Sequence, residues 1–279
     1  MTDVRTEAAP TTGSWPNPTG DYIWYELMTT DAEGAKAFYD AVVGWTFGEG
    51  AAEYQGYRMI NTADGGFAGG VLPLTQEMQQ QGARPTWLGY VYVDDVDAKV
   101  ASIEQGGGKA LMPAMDIPNV GRIAMVADPQ GAPFYVMKPI PPADNPDAQS
   151  SVFSPDKLGR CAWNELSTSD VAGALNFYTS QFGWEKGDVM PMGEAGDYQF
   201  INQKGQMIGA IFPATSGAFK DEQPHWRYYF RVPSISAAKA TAEQAGATIK
   251  VGPMEVPGGD HIIIGTDPQG AEFSLVGKA

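Results

Sequence analysis

The sequence is poor in cysteine and histidine. Cys161 is the only cysteine among 279 residues, so the chain can form no internal disulfide and the class of disulfide-stapled domains is excluded. We expect Cys161 to be a small buried apolar residue, because no histidine lies near it in sequence to activate a nucleophile. The absence of cysteine pairs also fits a reducing compartment such as the cytoplasm.

Basic residues are scarce as well. The chain has 18 Lys and Arg against 33 Asp and Glu, which gives a net charge of −15 at pH 7. An acidic chain without a basic cluster is not expected to bind nucleic acid or an anionic membrane through charge. No segment approaches the ~18 uninterrupted apolar residues of a membrane span, and the polar segment 1–19 is typical of a flexible tail rather than a secretory signal.

Aromatic residues are plentiful, and they recur at a fixed distance. Three tryptophans are repeated 139 positions later, so that six of the seven tryptophans form pairs: Trp24 with Trp163, Trp45 with Trp184, and Trp87 with Trp226. The turn Asp-Pro-Gln-Gly recurs in the same way at 128–131 and 267–270. This pattern predicts a tandem duplication, with a tail at 1–19, domains at 20–138 and 159–279, and a proline-rich linker at 139–158.

Each domain is predicted to be of the α+β class and to contain two strand–helix–strand–strand–strand units. The first strand alternates over residues 22–28, and Asp31 is placed to cap a helix that ends at Gly44. A second helix is predicted to begin at 94–97 and a loop to occupy Pro113 to Asn119.

The ordered motifs resemble the vicinal oxygen chelate superfamily, which includes glyoxalase I, bleomycin-resistance proteins, epimerases and extradiol dioxygenases. They comprise a helix that ends in Phe-Tyr and then Gly-Trp, the Val-Asp-Asp-Val-Asp stretch at 93–97, and the Asp-Pro-Gln-Gly turn. The resemblance covers residues 20–138 and 159–279. It implies that each domain curls its two units into a cup-shaped, mostly antiparallel sheet around a cavity for a small molecule.

The resemblance also implies metal-binding positions, and this sequence fills them with poor ligands. The first-strand position is Trp24 or Trp163, and the last-strand position is Tyr135 or Ser274. None of these side chains is a common ligand of a divalent metal, so no cofactor is expected. A divalent metal would have to use the remaining candidates of the second domain, Glu165, His225 and His261.

Glu26 and Glu165 share a strand face with a tryptophan two residues away. One interpretation is that such a desolvated carboxyl group acts as a general acid or base. The other is that it accepts hydrogen bonds and stabilises the sheet. Arg122 could hold an enolate or another anionic group, or could pair with Glu26 or Asp116, and His261 takes the position of Arg122 in the second domain.

The aromatic side chains on the strands suit stacking against a flat or apolar molecule. The expected ligand-binding residues are Trp24, Trp87, Tyr135, Trp163, His225 and Trp226. Three functions remain open: a glyoxalase-like lyase or isomerase, a non-catalytic protein that sequesters a small molecule, and a scaffold. The sequence also leaves open whether the two domains pack within one chain or pair across a homodimer.

Overall fold

A computed structural model describes residues 17–214, 219–220 and 222–279, so most of the predicted tail at 1–19 lies outside the described residues. The first domain contains β1 (Tyr22–Thr29), α1 (Ala32–Val43), β2 (Thr46–Phe47), β3 (Arg58–Asn61), β4 (Phe67–Pro73), α2 (Gln76–Gln80), β5 (Thr86–Tyr92), α3 (Val96–Gln105), β6 (Lys109–Ile117), β7 (Gly121–Ala127) and β8 (Pro133–Pro139). The second contains β9 (Cys161–Thr168), α4 (Val171–Phe182), β10 (Glu185–Pro191), β11 (Asp197–Gln203), β12 (Gln206–Pro213), β13 (His225–Ser234), α5 (Ile235–Gln244), β14 (Thr248–Glu255), β15 (His261–Thr266) and β16 (Glu272–Lys278). No helix in this described part is long and apolar enough to cross a membrane.

The two domains have the same sheet topology. The strand orders are β2-β3-β4-β1-β5-β8-β7-β6 and β10-β11-β12-β9-β13-β16-β15-β14. In the first sheet, β1 is parallel to β4 and antiparallel to β5, which joins the two strand–helix–strand–strand–strand units side by side. The predicted α+β architecture with a tandem duplication is confirmed.

Helix ends follow the local sequence. The Asp31 carboxylate accepts a hydrogen bond from the backbone N–H of Gly34 at 2.9 Å, which satisfies a free donor in the first turn of α1. Gly44 ends that helix with a φ of 81°, a conformation that glycine adopts without a Cβ penalty. The loop predicted at Pro113 to Asn119 is wrong in part, because β6 continues through Pro113 to Ile117 as an edge strand, where proline loses no ladder hydrogen bond.

The domains pack against each other within the chain, around a pseudo-two-fold axis. The Tyr25 hydroxyl donates to Asn164 Oδ1 at 2.8 Å, and the Gly89 N–H donates to the Tyr228 hydroxyl at 2.7 Å. Both bonds join residues 139 apart in sequence, which are equivalent positions of the two copies. Equivalent residues can meet in this way only where the symmetry axis passes between them.

Repeated tryptophans extend this symmetry into the shared core. The Trp45 indole N–H donates to the carbonyl of Gly159 at 2.8 Å, and the Trp184 indole N–H donates to the carbonyl of Gly20 at 2.8 Å. All four residues are nearly or fully buried, so each indole group satisfies a polar atom of the other domain. The recurrent Gly-Trp motif therefore serves to join the two domains.

The Asp-Pro-Gln-Gly turns serve the same purpose. One carboxylate oxygen of Asp128 accepts backbone hydrogen bonds within its own turn, at 2.8–3.0 Å. The other accepts from the Tyr178 hydroxyl of the second domain at 3.2 Å, and Tyr39 makes the reciprocal bond to Asp267 at 3.0 Å. Each turn is thereby closed and docked onto the opposite domain by a single side chain.

The linker is partly ordered against the first domain. The Ser150 hydroxyl donates to the carbonyl of Ile23 at 2.6 Å, and Val152 is buried. Phe153 forms a bridge to Cys161, whose free thiol is fully buried. Burial raises the pKa of that thiol to about 12, which agrees with an unreactive apolar role.

Candidate ligand sites in the two cups

Each sheet has one face that packs on helices and on the other domain, and an opposite face that we call its cup. In β1, Tyr25 and Leu27 belong to the shared interdomain core. Glu26, which alternates with them, points into the first cup beside Leu88 and Tyr90 of β5. Strand alternation therefore places this carboxyl group among apolar side chains.

Glu26 is a buried polar group of the first cup. Its exposed fraction is 3%, and its Oε2 accepts a hydrogen bond from the Tyr90 hydroxyl at 2.9 Å. Its Oε1 is buried and accepts no hydrogen bond from any residue that the structure describes. Desolvation raises the pKa of Glu26 to about 7, although the nearby hydroxyl groups of Tyr90 and Tyr57 offset part of the rise.

Aromatic side chains surround this carboxyl group. The Trp24 indole N–H donates to the Tyr57 hydroxyl at 2.7 Å, and the ring of Tyr90 stacks on that of Tyr135 with centroids 4.3 Å apart. Gly70 allows the arrangement, because a Cβ at that position would overlap the Tyr57 ring. The first cup is thus a rigid aromatic wall around one half-satisfied carboxyl group.

Glu165 takes the equivalent place in the second cup but is fully satisfied. Its Oε2 accepts from the Tyr198 hydroxyl at 2.6 Å, and its Oε1 accepts from the Tyr229 hydroxyl and from Arg227 Nη1, both at 2.9 Å. Trp163 donates to Tyr198 at 2.8 Å, which repeats the tryptophan–tyrosine pair of the first cup. The two sites therefore differ chiefly in the cation that contacts the carboxylate.

Arg227 is the centre of an ionic network that fills the second cup. Its side chain is 1% exposed and pairs with Glu165, with Glu222 at 3.1 Å and with Glu272 at 2.7 Å. The ring of Phe219 covers the guanidinium group, with 4.9 Å between the guanidinium carbon and the ring centroid. Burial alone would raise the pKa of Glu272, but the hydrogen bond from His225 and the charge of Arg227 outweigh it and lower this pKa to about 2.

The first cup contains none of these network charges. At an offset of 139 residues, the position of Arg227 is Leu88, and those of Glu222, Glu272 and Lys250 are Ala83, Pro133 and Leu111. Among the described residues, the first cup is thus apolar around Glu26, whereas the second cup is closed by its own ion pairs.

Two of the expected ligand-binding residues lie outside both cups. The Trp87 indole N–H donates to the Tyr39 hydroxyl at 3.0 Å, and the Trp87 ring packs against the ring of Phe230 in the second domain, with centroids 4.7 Å apart. Trp226 makes the equivalent bond to Tyr178 at 2.9 Å. Both indoles are buried in the interdomain core, because strand alternation turns them away from the neighbouring cup residues.

Arg122 and His261 also lie outside the cups. Arg122 pairs with Asp97 of α3 at 2.6 Å and with Asp116 at 3.1 Å on the helix-covered side of the sheet, so it is not placed to hold an anion beside Glu26. His261 has the equivalent position at the start of β15, on the same face as core residue Ile263. Neither residue is thus brought together with a carboxyl group of a cup.

His225 contributes to the second cup, at its edge. Its Nε2 lies 3.1 Å from Glu272 Oε1, and its Nδ1 lies 2.9 Å from the carbonyl of Gln223. It also lines a small interdomain cleft with Thr86 and Ser274, with room for about one or two water molecules. His225 therefore belongs to the ionic network around Arg227 rather than to an open site.

The described residues do not fit the metal site that the resemblance implies. Trp24 and Tyr135 occupy the implied positions of the first cup, and Trp163 and Ser274 those of the second. All the contacts of the Glu165 oxygens are with hydrogen-bond donors, one of them the positively charged guanidinium of Arg227, which would repel a metal ion. Within the described part of the chain, no group of three or more His, Cys, Asp or Glu side chains could hold a metal ion.

The residues that distinguish the cups were not predicted from the sequence. Tyr57 and Tyr198 were not expected to reach the glutamates, and Arg227 was not singled out. A signal was present, because Arg227 is a charged residue between aromatic strand neighbours and its counterpart is Leu88. The tyrosines gave no comparable signal, since their contacts depend on how β3 and β11 pair with distant strands.

Comparison with known proteins agrees with this architecture. The family model of the Glyoxalase/Bleomycin resistance protein/Dioxygenase superfamily matches residues 22–136 and 157–275, and the chain belongs to this superfamily. The resemblance seen in the sequence is thereby confirmed, and the fold is that of a tandem glyoxalase-like protein.

Individual relatives are similar along nearly their whole length. The Mycobacterium tuberculosis protein named "Putative glyoxylase CFP32" is 31% identical over 259 residues, which cover 92% of this chain and 94% of the relative. The anthracycline biosynthesis protein DauV of Streptomyces sp. is 28% identical over 267 residues, with 92% and 93% covered. The Mn(II)-bound glyoxalase from Novosphingobium aromaticivorans has a similar fold, with a TM-score of 0.61, 18% identity, and 94% and 83% of the chains covered.

Proposed function

We propose that this protein binds a small, flat aromatic molecule in the first cup, without a metal ion. The observation that carries the proposal is the half-satisfied carboxyl group of Glu26 inside an aromatic wall. A buried polar atom without a partner is costly, so a ligand that supplies that partner gains binding free energy. Aromatic walls add stacking that favours a flat molecule.

The lid of the first cup supports a binding role. Leu74 and Met78, from the segment around α2, pack on the apolar cluster that contains Leu88 and Tyr90. The helix of this segment spans only Gln76–Gln80, and we expect its displacement to open the cup without unfolding the sheet. The name of DauV connects that relative with anthracyclines, which are fused-ring aromatic compounds, and this agrees with a flat ligand.

A second candidate function is proton transfer by Glu26. A carboxyl group with a pKa of about 7 is suited to accept and return a proton at neutral pH, and its Oε1 makes no hydrogen bond with a described residue. In this reaction Glu26 removes a proton from a carbon next to a carbonyl group and returns a proton to the resulting enolate. The net result is exchange or isomerisation, as expected of a glyoxalase-like isomerase.

Binding can be tested with 1-naphthylmethanol, a flat neutral probe, by isothermal titration calorimetry. Trp24→Leu is expected to weaken binding at least about tenfold, since it removes both a stacking surface and the partner of Tyr57. The matched control is Trp163→Leu in the filled second cup, which should leave the affinity unchanged. Equal losses in both variants, or no binding by the wild type, would contradict the proposal.

Proton transfer can be tested separately with 1-acetylnaphthalene in D₂O. Deuterium is expected to enter its methyl group faster with the wild type than with Glu26→Gln, and NMR follows the exchange. If the probe binds but the two proteins give the same exchange rate, the catalytic candidate is refuted and the binding function stands.

A further inference from the structure

We propose that the natural ligand of the first cup carries a protonated amine or amidine beside its aromatic body, and that this cation binds Glu26 in the place that the Arg227 guanidinium takes in the second cup. The inference rests on the proposed binding function of the first cup and names the chemical class of its ligand.

The second domain acts as an internal template for the missing partner. Glu165 and Glu26 are equivalent, and each accepts a tyrosine hydroxyl from the equivalent residue, Tyr229 or Tyr90. Matched by these tyrosines, Glu165 Oε1 corresponds to Glu26 Oε2: the former also accepts from Arg227 Nη1 at 2.9 Å, whereas no described cation pairs with the latter. The one donor that the first cup lacks is therefore a cation.

The side chains around Glu26 leave this cation to the ligand. Leu88 is paired with Glu26 in the strand register, as Arg227 is with Glu165, but it has no charged group. Neither of the other basic residues of the second network has a basic counterpart, since Lys250 corresponds to Leu111 and His225 to Thr86. A carboxylate in such an apolar site is stabilised most by a partner that brings both a positive charge and N–H donors.

The surroundings also favour a cation with an aromatic body. Tyr90 and Tyr135 present stacked rings beside the carboxyl group, and aromatic faces attract cations. The net charge of −15 adds a long-range attraction for a positively charged molecule. An anionic ligand would be repelled both by the Glu26 carboxylate and by the net negative charge of the protein.

The test compares two probes of nearly equal shape, 1-naphthylmethylammonium and neutral 1-naphthylmethanol. At pH 8 the ammonium probe is expected to bind the wild type about 10- to 100-fold more tightly, which is the range for a hydrogen bond to a charged group. Glu26→Gln should abolish this preference, so that the two probes bind the variant with similar affinities. Because the pKa of Glu26 is about 7, the preference should also shrink as the pH falls from 8 to 5.5.

Leu88 supplies a matched pair of variants. Leu88→Arg is expected to place an internal guanidinium beside Glu26 and to remove the preference for the ammonium probe. Leu88→Met has a similar length without a charge and should keep the preference. If Leu88→Arg does not fold, Glu26→Gln decides the question alone.

The outcomes separate this inference from the proposed function. If both probes bind the wild type equally, the cationic ligand is refuted while aromatic binding stands. If neither probe binds the wild type, both proposals fail. A preference that disappears in Glu26→Gln and in Leu88→Arg, but not in Leu88→Met, supports the inference.

Discussion

Replacement of Arg227 by leucine tests how the second cup is held together. The substitution reproduces the residue that the first domain has at this position, Leu88, but leaves Glu165, Glu222 and Glu272 without their shared cation. Removal of one member of a buried ion pair costs about 3–5 kcal/mol, because the remaining charge stays desolvated. We expect Arg227→Leu to lower the free energy of unfolding by this amount at pH 7.

The size of the loss can be checked against the pKa of Glu272. This pKa is about 2 in the folded protein, compared with an ordinary value of 4.5. Its lowered pKa means that ionised Glu272 contributes about 3 kcal/mol above pH 4.5, and that this contribution is lost as the pH falls through 4.5 towards 2. Arg227 and His225 together produce the effect, so the loss of Arg227 should also flatten the acid dependence of stability.

Urea denaturation followed by tryptophan fluorescence measures the effect. The control is Arg122→Leu, which removes an arginine that also pairs with two carboxylates, but at the protein surface. Little or no change is expected there, because solvent screens exposed pairs. In Arg227→Leu, the added substitution Glu165→Gln should recover part of the loss, since it removes one uncompensated charge. A cost below about 1 kcal/mol for Arg227→Leu, or equal costs for the two arginines, would refute the reasoning.

Three further predictions concern the core, the first cup and metal ions. Trp45→Phe and Trp184→Phe should each lower the free energy of unfolding, measured by urea denaturation, by about 1–3 kcal/mol. Each variant leaves a buried carbonyl group, of Gly159 or Gly20, without its hydrogen-bond donor. An unchanged free energy of unfolding in either variant would contradict the importance of these hydrogen bonds. Glu26→Gln should raise the free energy of unfolding by up to about 3 kcal/mol at pH 8 but hardly at pH 4. The reason is that the pKa of Glu26 is raised from 4.5 to about 7, so the ionised form destabilises the folded protein as the pH rises through that interval. An equal gain at both pH values would contradict this prediction. Dialysis against EDTA should leave the affinity for 1-naphthylmethanol unchanged, and a loss that Mn(II) restores would contradict metal-independent binding.

The duplication and the fold class could be derived from the sequence because they depend on spacing along the chain. Paired tryptophans at a constant offset and the repeated Asp-Pro-Gln-Gly turn are visible without any knowledge of contacts. Local signals likewise located α1, since Asp31 and Gly44 satisfy the ends of the helix through neighbours in sequence. Period-two alternation also showed correctly that Trp24 and Glu26 share a face of β1.

Alternation shows which residues share a face but not what that face meets. Trp87 and Trp226 are as aromatic as Trp24, yet they face the interdomain core, and this was decided by how the two domains pack around the pseudo-two-fold axis. Arg122 lies on the face of β7 opposite to the cup, where it pairs with Asp97 of α3. Such contacts join residues far apart in sequence, and spacing carries no record of them.

The sequence by itself thus determined two copies of one fold and a tryptophan beside a glutamate in each. Only the tertiary structure decided that the two glutamates differ. The positions of Leu88 and Arg227 opposite them follow from the antiparallel register of β1 with β5 and of β9 with β13. Because a buried carboxylate depends on its immediate partners, this difference leaves Glu26 without a cation beside it while Glu165 is fixed in an ion-pair network.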